Sequence, residues 1–294
     1  MALDEFQRGG DDLLLALKAS IDRSDTRGQY LLTGSTRFLT TRTLSETLTG
    51  RIGLVELLPL SVGERLGVHE HFLDRTFAGE VLAGTATPLH RADYAELIVA
   101  VLEQVAGRST GELVVSDLSR EVRASAGLVE SYLSVLETLY LVRLLPGWTN
   151  GRTQRAKQRR VGHVLDTALA AHLLGQTSDD LARPDNPWFG PLLESFVVGE
   201  LAKQATWAER PVRLAQYRDR DQREVDVVME SGQRVVAVEV KATATPRPDD
   251  ARHLAYLRDR VGERFVTGVV LHTGQQRLAL GDRVVAMPVS DLWA

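Results

Sequence analysis

The chain has 294 residues, of which 44% are hydrophobic and 25% charged, a profile typical of a soluble globular protein with two or three domains. The absence of cysteine excludes disulfides and thiolate metal sites, and a formal net charge of −4 excludes an overall cationic surface for nucleic acid. No apolar stretch is long enough to span a membrane and no leader pattern precedes the first strand, so we expect a cytoplasmic protein without a membrane partner.

The first predicted element is a short apolar strand that ends in an acidic pair, Asp4 and Glu5. P-loop ATPases use such a pair to hold magnesium and to activate water at the γ-phosphate. A helix is predicted over residues 11–24, and a second strand covers residues 30–34. Strands that alternate with helices over residues 1–62 indicate part of a parallel α/β sheet.

Three segments carry a family resemblance: LDEFQR at residues 3–8, YLLTGSTR at residues 30–37, and LSETLTGR followed by LVELLPLS within residues 44–61. In this order they resemble a widespread bacterial group of AAA-type (P-loop) ATPases fused to an uncharacterised C-terminal domain. The resemblance extends over nearly the whole chain. It implies a set of nucleotide-site residues, with Asp4 and Glu5 as the Walker B pair, Ser35 as a sensor and Arg51 as a phosphate-sensing arginine.

The phosphate loop of such ATPases, G-x-x-x-x-G-K-[ST], occurs nowhere in the sequence. The resemblance implies ATP and Mg²⁺ as cofactors, but the lysine and the amide groups that normally contact the phosphates are missing. We therefore expect an N-terminally truncated ATPase domain in which ATP binding is absent or very weak. The resemblance also implies a protein partner, which would be a second copy of the chain or another ATPase subunit.

The middle of the chain is predicted to be helical over residues 63–109 and to form a winged helix over residues 110–150. In the second unit, a short helix, a turn and a helix over residues 128–139 precede a strand, which is the order of a winged helix-turn-helix. The second helix begins without arginine or lysine, which favours a structural or protein-contacting role over the reading of a DNA sequence.

A dense basic segment follows this unit directly. Five of its nine residues are cationic, namely Arg152, Arg155, Lys157, Arg159 and Arg160. Such a density of positive charge suits contact with the phosphates of DNA, a partner that we therefore expect. The alternative interpretation is a solvated loop that leads into the next strand.

Residues 151–294 predict an α/β domain with a second group of charged side chains. A strand over residues 223–230 carries Asp226, and after a turn the next strand places Glu239 and Lys241 on the same face. Two carboxylates supply the oxygen ligands that Mg²⁺ prefers. A neighbouring lysine can orient water and stabilise the charge that develops on a phosphate.

This arrangement resembles the restriction-endonuclease-like superfamily, whose signature is an Asp on one strand and (Asp/Glu)-x-Lys on the next. The resemblance implies catalytic roles for Asp226, Glu239 and Lys241, with Asp226 and Glu239 as the metal ligands. This superfamily often adds a carboxylate from an upstream helix. Here Glu194 fits best by position, although Glu200 on the same helix could also face the site.

The predicted fold class is α/β, with a partial P-loop sheet, a helical and winged-helix middle, and a nuclease-like C-terminal domain. Three functions stay open at this point. The first is a DNA-associated, AAA-type ATP-binding protein whose ATP binding is impaired. The second is a Mg²⁺-dependent nuclease, and the third is a non-catalytic interaction protein or a decayed gene product. The sequence leaves open whether the chain is an enzyme.

Overall fold

The computed structural model describes residues 1–4, 6–23, 28–34, 58, 61, 63–64, 67–80, 111–113, 116, 126–138, 140–150, 160–219 and 221–293. These residues form helices and three sheets, which confirms the predicted α/β class at that level. Within the same ranges, no helix is both long enough and apolar enough to cross a membrane.

The N-terminal unit is a small β–α–β arrangement. Strand β1 (Ala2–Leu3) pairs in parallel with β2 (Leu31–Leu32), and helix α1 (Gly10–Ile21) lies between them in the chain. Phe6 and Leu14 are the buried residues of its small core. A parallel pair of strands needs such a helical connection, because a tight turn cannot reverse the chain twice.

Helix α2 (Phe72–Ala78) is part of the core of the C-terminal domain. Phe72, Leu73 and Phe77 are buried in the largest hydrophobic cluster of the described residues, and Leu58 packs against the same cluster. The sequence predicted a separate helical region over residues 63–109. Residues 81–109 of that region lie outside the described residues, and of the remainder α2 packs into the C-terminal core.

A three-stranded antiparallel sheet is formed from the middle of the chain. Its strands are β3 (Gly111–Leu113), β4 (Val142–Leu145) and β5 (Arg160–Val164), with β5 in the centre. Helix α3 (Ala126–Thr138) precedes β4. Because β4 and β5 pair with each other, the boundary predicted between residues 150 and 151 runs through one hairpin, and the basic segment connects its two strands.

The C-terminal domain is built on a six-stranded mixed sheet. Its strands are β6 (Arg213–Arg218), β7 (Glu224–Ser231), β8 (Arg234–Lys241), β9 (Phe265–His272), β10 (Leu278–Gly281) and β11 (Val284–Pro288). Their spatial order is β10-β11-β9-β8-β7-β6. Strands β6, β7 and β8 are antiparallel neighbours, whereas β8, β9 and β11 run parallel to one another.

Helices cover both faces of this sheet. They are α4 (Thr167–Leu173), α5 (Ser178–Ala182), α6 (Phe189–Gln204) and α7 (Arg252–Val261). Residues of α6 and α2 belong to the core on one face, and residues of α7 belong to the core on the other. Residues 235–238 of β8 are therefore all fully buried, which explains their continuous apolar run.

A buried ion pair lies on the inner side of α6. Lys203 Nζ donates a hydrogen bond of 2.6 Å to Glu200 Oε1, and both side chains are shielded from solvent. The charges of this pair affect the pKa values of two more buried carboxylates. Burial raises the pKa of Asp166 to about 7, against the opposing effect of Lys203, and burial together with the charge of Glu200 raises the pKa of Glu70. Lys203 thus offsets the negative charge of Glu200 and of Asp166, which lie in two parts of the chain.

Replacing Lys203 with methionine is expected to lower the free energy of unfolding by about 3 kcal/mol, because Glu200 would lose its buried counter-charge. The double variant Glu200→Gln/Lys203→Met is expected to recover part of this loss, since both charges are then removed. Urea denaturation measures both effects, with Lys18→Met on α1 as the control. A Lys203→Met protein with the unfolding midpoint of the wild type would contradict this account.

Candidate functional site

Two carboxylates meet where β7 and β8 pair. Val227 is the register partner of Val238, so the next positions along the two antiparallel strands are Asp226 and Glu239. The Asp226 carboxylate accepts a hydrogen bond of 2.7 Å from the backbone N–H of Val240. This bond fixes the Asp226 side chain against β8, the strand that carries Glu239.

Lys241 pairs with one oxygen of Glu239 and leaves the other without a partner. Lys241 Nζ donates to Glu239 Oε1 at 2.7 Å, and the lysine side chain is 34% exposed whereas the Glu239 side chain is 8% exposed. Glu239 Oε2 is buried and has no hydrogen-bond partner in the part of the chain that the structure describes. An unsatisfied buried polar atom lowers the free energy of unfolding by about 1–3 kcal/mol. A ligand that bound this oxygen would therefore stabilise the folded protein.

Helix α6 contributes a third carboxylate, Glu194, whose side chain is 28% exposed. Its negative charge acts on Glu239, and that of Asp226 acts on Glu194. Glu200 lies six residues further along the same helix and pairs with Lys203 in the interior. Of the two glutamates that the sequence offered, the structure therefore brings Glu194 to the carboxylate group.

The carboxylates raise one another's proton affinity. Burial, and then the charge of Glu239, raises the pKa of Asp226 to about 8. Burial and the charges of Asp226 and Glu224 raise the pKa of Glu194 to about 8, against the opposing effect of Lys241. Burial also raises the pKa of Glu239, although Lys241 counteracts it. With all three ionised, the group would carry more negative charge than Lys241 balances, so Asp226 and Glu194 keep their protons to a higher pH than usual.

The ammonium group of Lys241 is held in its charged form. Burial disfavours its charge, but Glu239 and Asp226 outweigh that effect and raise the pKa of Lys241. A general base at neutral pH needs a lowered pKa. Lys241 is therefore suited to act as a fixed cation that binds an anionic oxygen.

A divalent cation fits the chemistry of these donors. Among the described residues, no group of three or more His, Asp or Glu side chains is arranged to hold a metal ion by itself. Mg²⁺ is commonly bound by one or two carboxylates, with water and substrate phosphate oxygens completing its coordination. Asp226 and Glu239 could hold it in this way, because Glu239 Oε2 has no partner and a cation would relieve the repulsion between the carboxylates.

The structure describes only some of the other predicted site residues. Seven of them lie outside the described residues, namely Glu5, Ser35, Arg51, Arg152, Arg155, Lys157 and Arg159. Asp4 is exposed and accepts a hydrogen bond from the Thr33 hydroxyl. Arg160 begins β5 and donates to both carboxylate oxygens of Glu130, at 2.7 and 2.8 Å, so Glu130 partly neutralises its charge.

Sequence reasoning missed one side chain next to this group, His163 on β5. Its imidazole is fully buried, and Nε2 lies 3.9 Å from Glu194 Oε1. No motif surrounds His163 in the sequence. Its position depends on the packing of β5 against α6, which joins parts of the chain about thirty residues apart.

Three known families match separate parts of this chain. Residues 1–66 match an AAA domain, residues 87–180 a domain of unknown function (DUF8612) and residues 189–292 another domain of unknown function (DUF4143). The first and last matches support an AAA-type ATPase region joined to a C-terminal domain of unknown function. The AAA match also agrees with the family that the acidic pair and the strands after it resemble.

The full-length relatives carry no assigned function. Uncharacterised proteins of Mycobacterium bovis and Mycobacterium tuberculosis are each 28% identical to this chain over 313 residues. The aligned region covers 99% of this chain and 69% of each relative. No solved structure matches the chain.

The raised pKa of Asp226 predicts how stability depends on pH. The folded protein holds this proton up to about pH 8, whereas the unfolded chain releases it near the ordinary value of 3.8. The free energy of unfolding should therefore fall as the pH rises between these values, by about 1.4 kcal/mol for each unit of pKa difference. In Asp226→Asn this contribution is removed, so the variant should lose less stability than the wild type between pH 5 and pH 8.

Urea denaturation in EDTA at several pH values measures this difference. Asp166 titrates in both proteins, whereas the pKa of Glu194 is raised by the charge of Asp226. The difference between the two curves therefore reports Asp226 together with its effect on Glu194. Parallel curves for the wild type and Asp226→Asn would contradict the assignment.

Proposed function

We propose that the C-terminal domain hydrolyses phosphodiester bonds of nucleic acid with the help of Mg²⁺, in a chain related to AAA-type ATPases. The observation that carries this proposal is the partnerless buried oxygen of Glu239, beside Asp226 on one side and the charged Lys241 on the other. The proposal also assigns a nuclease-like fold to the C-terminal domain and a winged-helix fold to the middle of the chain. The winged-helix assignment is supported by α3, which is followed in the chain by the antiparallel pair β4 and β5.

In this proposal each side chain has a distinct role. Asp226 and Glu239 hold Mg²⁺, which when bound polarises a phosphate oxygen and lowers the pKa of water. Lys241 binds a non-bridging phosphate oxygen and stabilises the charge that develops there. Glu194 can hold or release a proton near neutral pH, as a general acid or base requires.

Nucleic acid is the substrate class that the charge distribution favours. The four cations at residues 152–159 lie in the sequence between β4 and β5. Strand β5 packs against α6, the helix that carries Glu194. A polyanion bound close to β5 would therefore also lie close to Glu194.

Cleavage of DNA tests the proposal directly. We expect the wild type to nick plasmid DNA with Mg²⁺ or Mn²⁺, and not in EDTA. Asp226→Ala and Lys241→Ala should each reduce the rate by a factor of about 100 or more, because each removes charge stabilisation from the transition state.

Glu263→Gln is the matched control, since Glu263 is an exposed acid at the opposite end of β9. It should cleave like the wild type. Normal cleavage by both site variants would show that the activity, if any, lies elsewhere.

Nucleotide binding is the activity that the AAA match over residues 1–66 raises for the N-terminal unit. The parallel pairing of β1 and β2, with Asp4 directly after β1, is compatible with a nucleotide site. We propose that ATP binds this chain very weakly, because its sequence contains no G-x-x-x-x-G-K-[ST] loop. Calorimetric titration with Mg²⁺–ATP should give no measurable heat at micromolar concentrations. Micromolar, Mg²⁺-dependent binding would contradict this expectation.

A further inference from the structure

His163 reaches the proposed site from a different sheet. It lies on β5 in the centre of the three-stranded sheet, whereas the carboxylates lie on the six-stranded sheet and on α6. Its ring has no solvent exposure. A fully buried imidazole in a strand that packs against α6 is therefore held in one orientation by its surroundings.

One ring nitrogen of His163 points to Glu194. Nε2 has no hydrogen-bond partner among the described residues, and it lies 3.9 Å from Glu194 Oε1. The other nitrogen, Nδ1, lies 3.5 Å from the hydroxyl of Ser195. If the hydroxyl donates to Nδ1, the proton of the neutral ring is on Nε2 and faces the carboxylate.

We propose that His163 is a positioning residue, which donates its Nε2–H to Glu194 and thereby orients this carboxylate toward Asp226 and Glu239. This inference rests on the proposed function and assigns it one more residue. The distance of 3.9 Å between His163 Nε2 and Glu194 Oε1 is less than 1 Å longer than an N–H···O hydrogen bond of about 3.2 Å. The Glu194 side chain is partly exposed and can close this gap by a small rotation.

The buried position keeps His163 in the form that this role requires. Burial lowers the pKa of His163 to about 4, so the ring is neutral at physiological pH and carries a single N–H. A neutral donor can orient a carboxylate without cancelling its charge. The same contact links the site to the hairpin that carries the basic segment, since Arg160 lies only three residues before His163, about 10 Å along the strand.

Two substitutions separate positioning from simple core packing. In His163→Gln the amide nitrogen can occupy the place of Nε2 and donate to Glu194, whereas in His163→Leu the side chain has a similar size but no donor. We expect His163→Leu to lower kcat for Mg²⁺-dependent DNA cleavage by about tenfold or more, with KM for DNA unchanged. His163→Gln should keep most of the activity.

A double variant tests whether the effect acts through Glu194. In a Glu194→Gln background, His163→Leu should cause little further loss of kcat, because the group to be oriented is already changed. His172→Leu, on the exposed side of α4, is the control and should behave like the wild type. Equal losses in both backgrounds, or equal losses for His163→Gln and His163→Leu, would overturn the proposal.

A measurement without metal or substrate keeps this inference separate from the proposed function. In ¹⁵N-histidine-labelled full-length protein, the ring signals of His163 are identified by their loss in His163→Gln. We expect the Nε2–H form, and a shift of the Nε2 resonance in Glu194→Gln. A proton on Nδ1, or an Nε2 resonance that Glu194→Gln leaves unchanged, would overturn the inference even if the protein cleaves DNA. Failure to cleave DNA together with the expected spectrum would instead count against the proposed function alone.

Discussion

The register of β7 against β8 is the constraint on which the proposed site depends. Antiparallel pairing puts Asp226 and Glu239 at neighbouring positions of a central, buried part of the sheet, where two ionised carboxylates would repel each other strongly. A fold keeps such an arrangement at a cost in stability, because an apolar pair there would be easier to bury. Lys241 relieves only part of the repulsion. A cation that binds there would relieve more of this repulsion. The free energy gained by this relief would favour binding of the cation.

Helix α6 connects this site to the rest of the molecule. Near its N-terminus it supplies Glu194, and near its C-terminus it supplies the buried pair of Glu200 and Lys203. At the C-terminal end of α6, the charge of Glu200 raises the pKa of Glu70. Glu70 follows the region of the AAA match in the sequence. The hydroxyl of Ser61, inside the matched region, donates to Glu70 at 2.6 Å. One helix thus contacts α2, which follows the AAA match in the sequence, and also carries Glu194 of the proposed site.

Local patterns were sufficient to predict strands β7 and β8 and helix α6 of the C-terminal domain, but not β10 or β11. The spacing of Asp226, Glu239 and Lys241 on two strands joined by a turn indicated a shared face, because side chains alternate along a strand. Helix positions were also close, since the predicted helix over residues 11–24 corresponds to Gly10–Ile21. The α/β class is confirmed, whereas the catalytic roles of these residues stay predictions. Periodicity does not reveal catalysis.

Features that depend on contacts distant in sequence were not predictable. No local pattern indicated that α2 enters the C-terminal core, or that β5 pairs with β4 across the predicted boundary. The choice between Glu194 and Glu200 depended on the rotation of α6 against the sheet. His163 was missed for the same reason, since its significance comes from a neighbouring helix and not from a motif.

The location of a bound divalent cation tests the central claim most directly. Mn²⁺ can replace Mg²⁺ at oxygen ligands, and its anomalous scattering identifies its position in a crystal of the full-length chain. The account predicts a peak between Asp226 and Glu239, at about 2.2 Å from one oxygen of each, and no such peak in Asp226→Asn. A Mn²⁺-soaked crystal without a peak there, with Glu239 Oε2 still lacking a partner, would contradict the account.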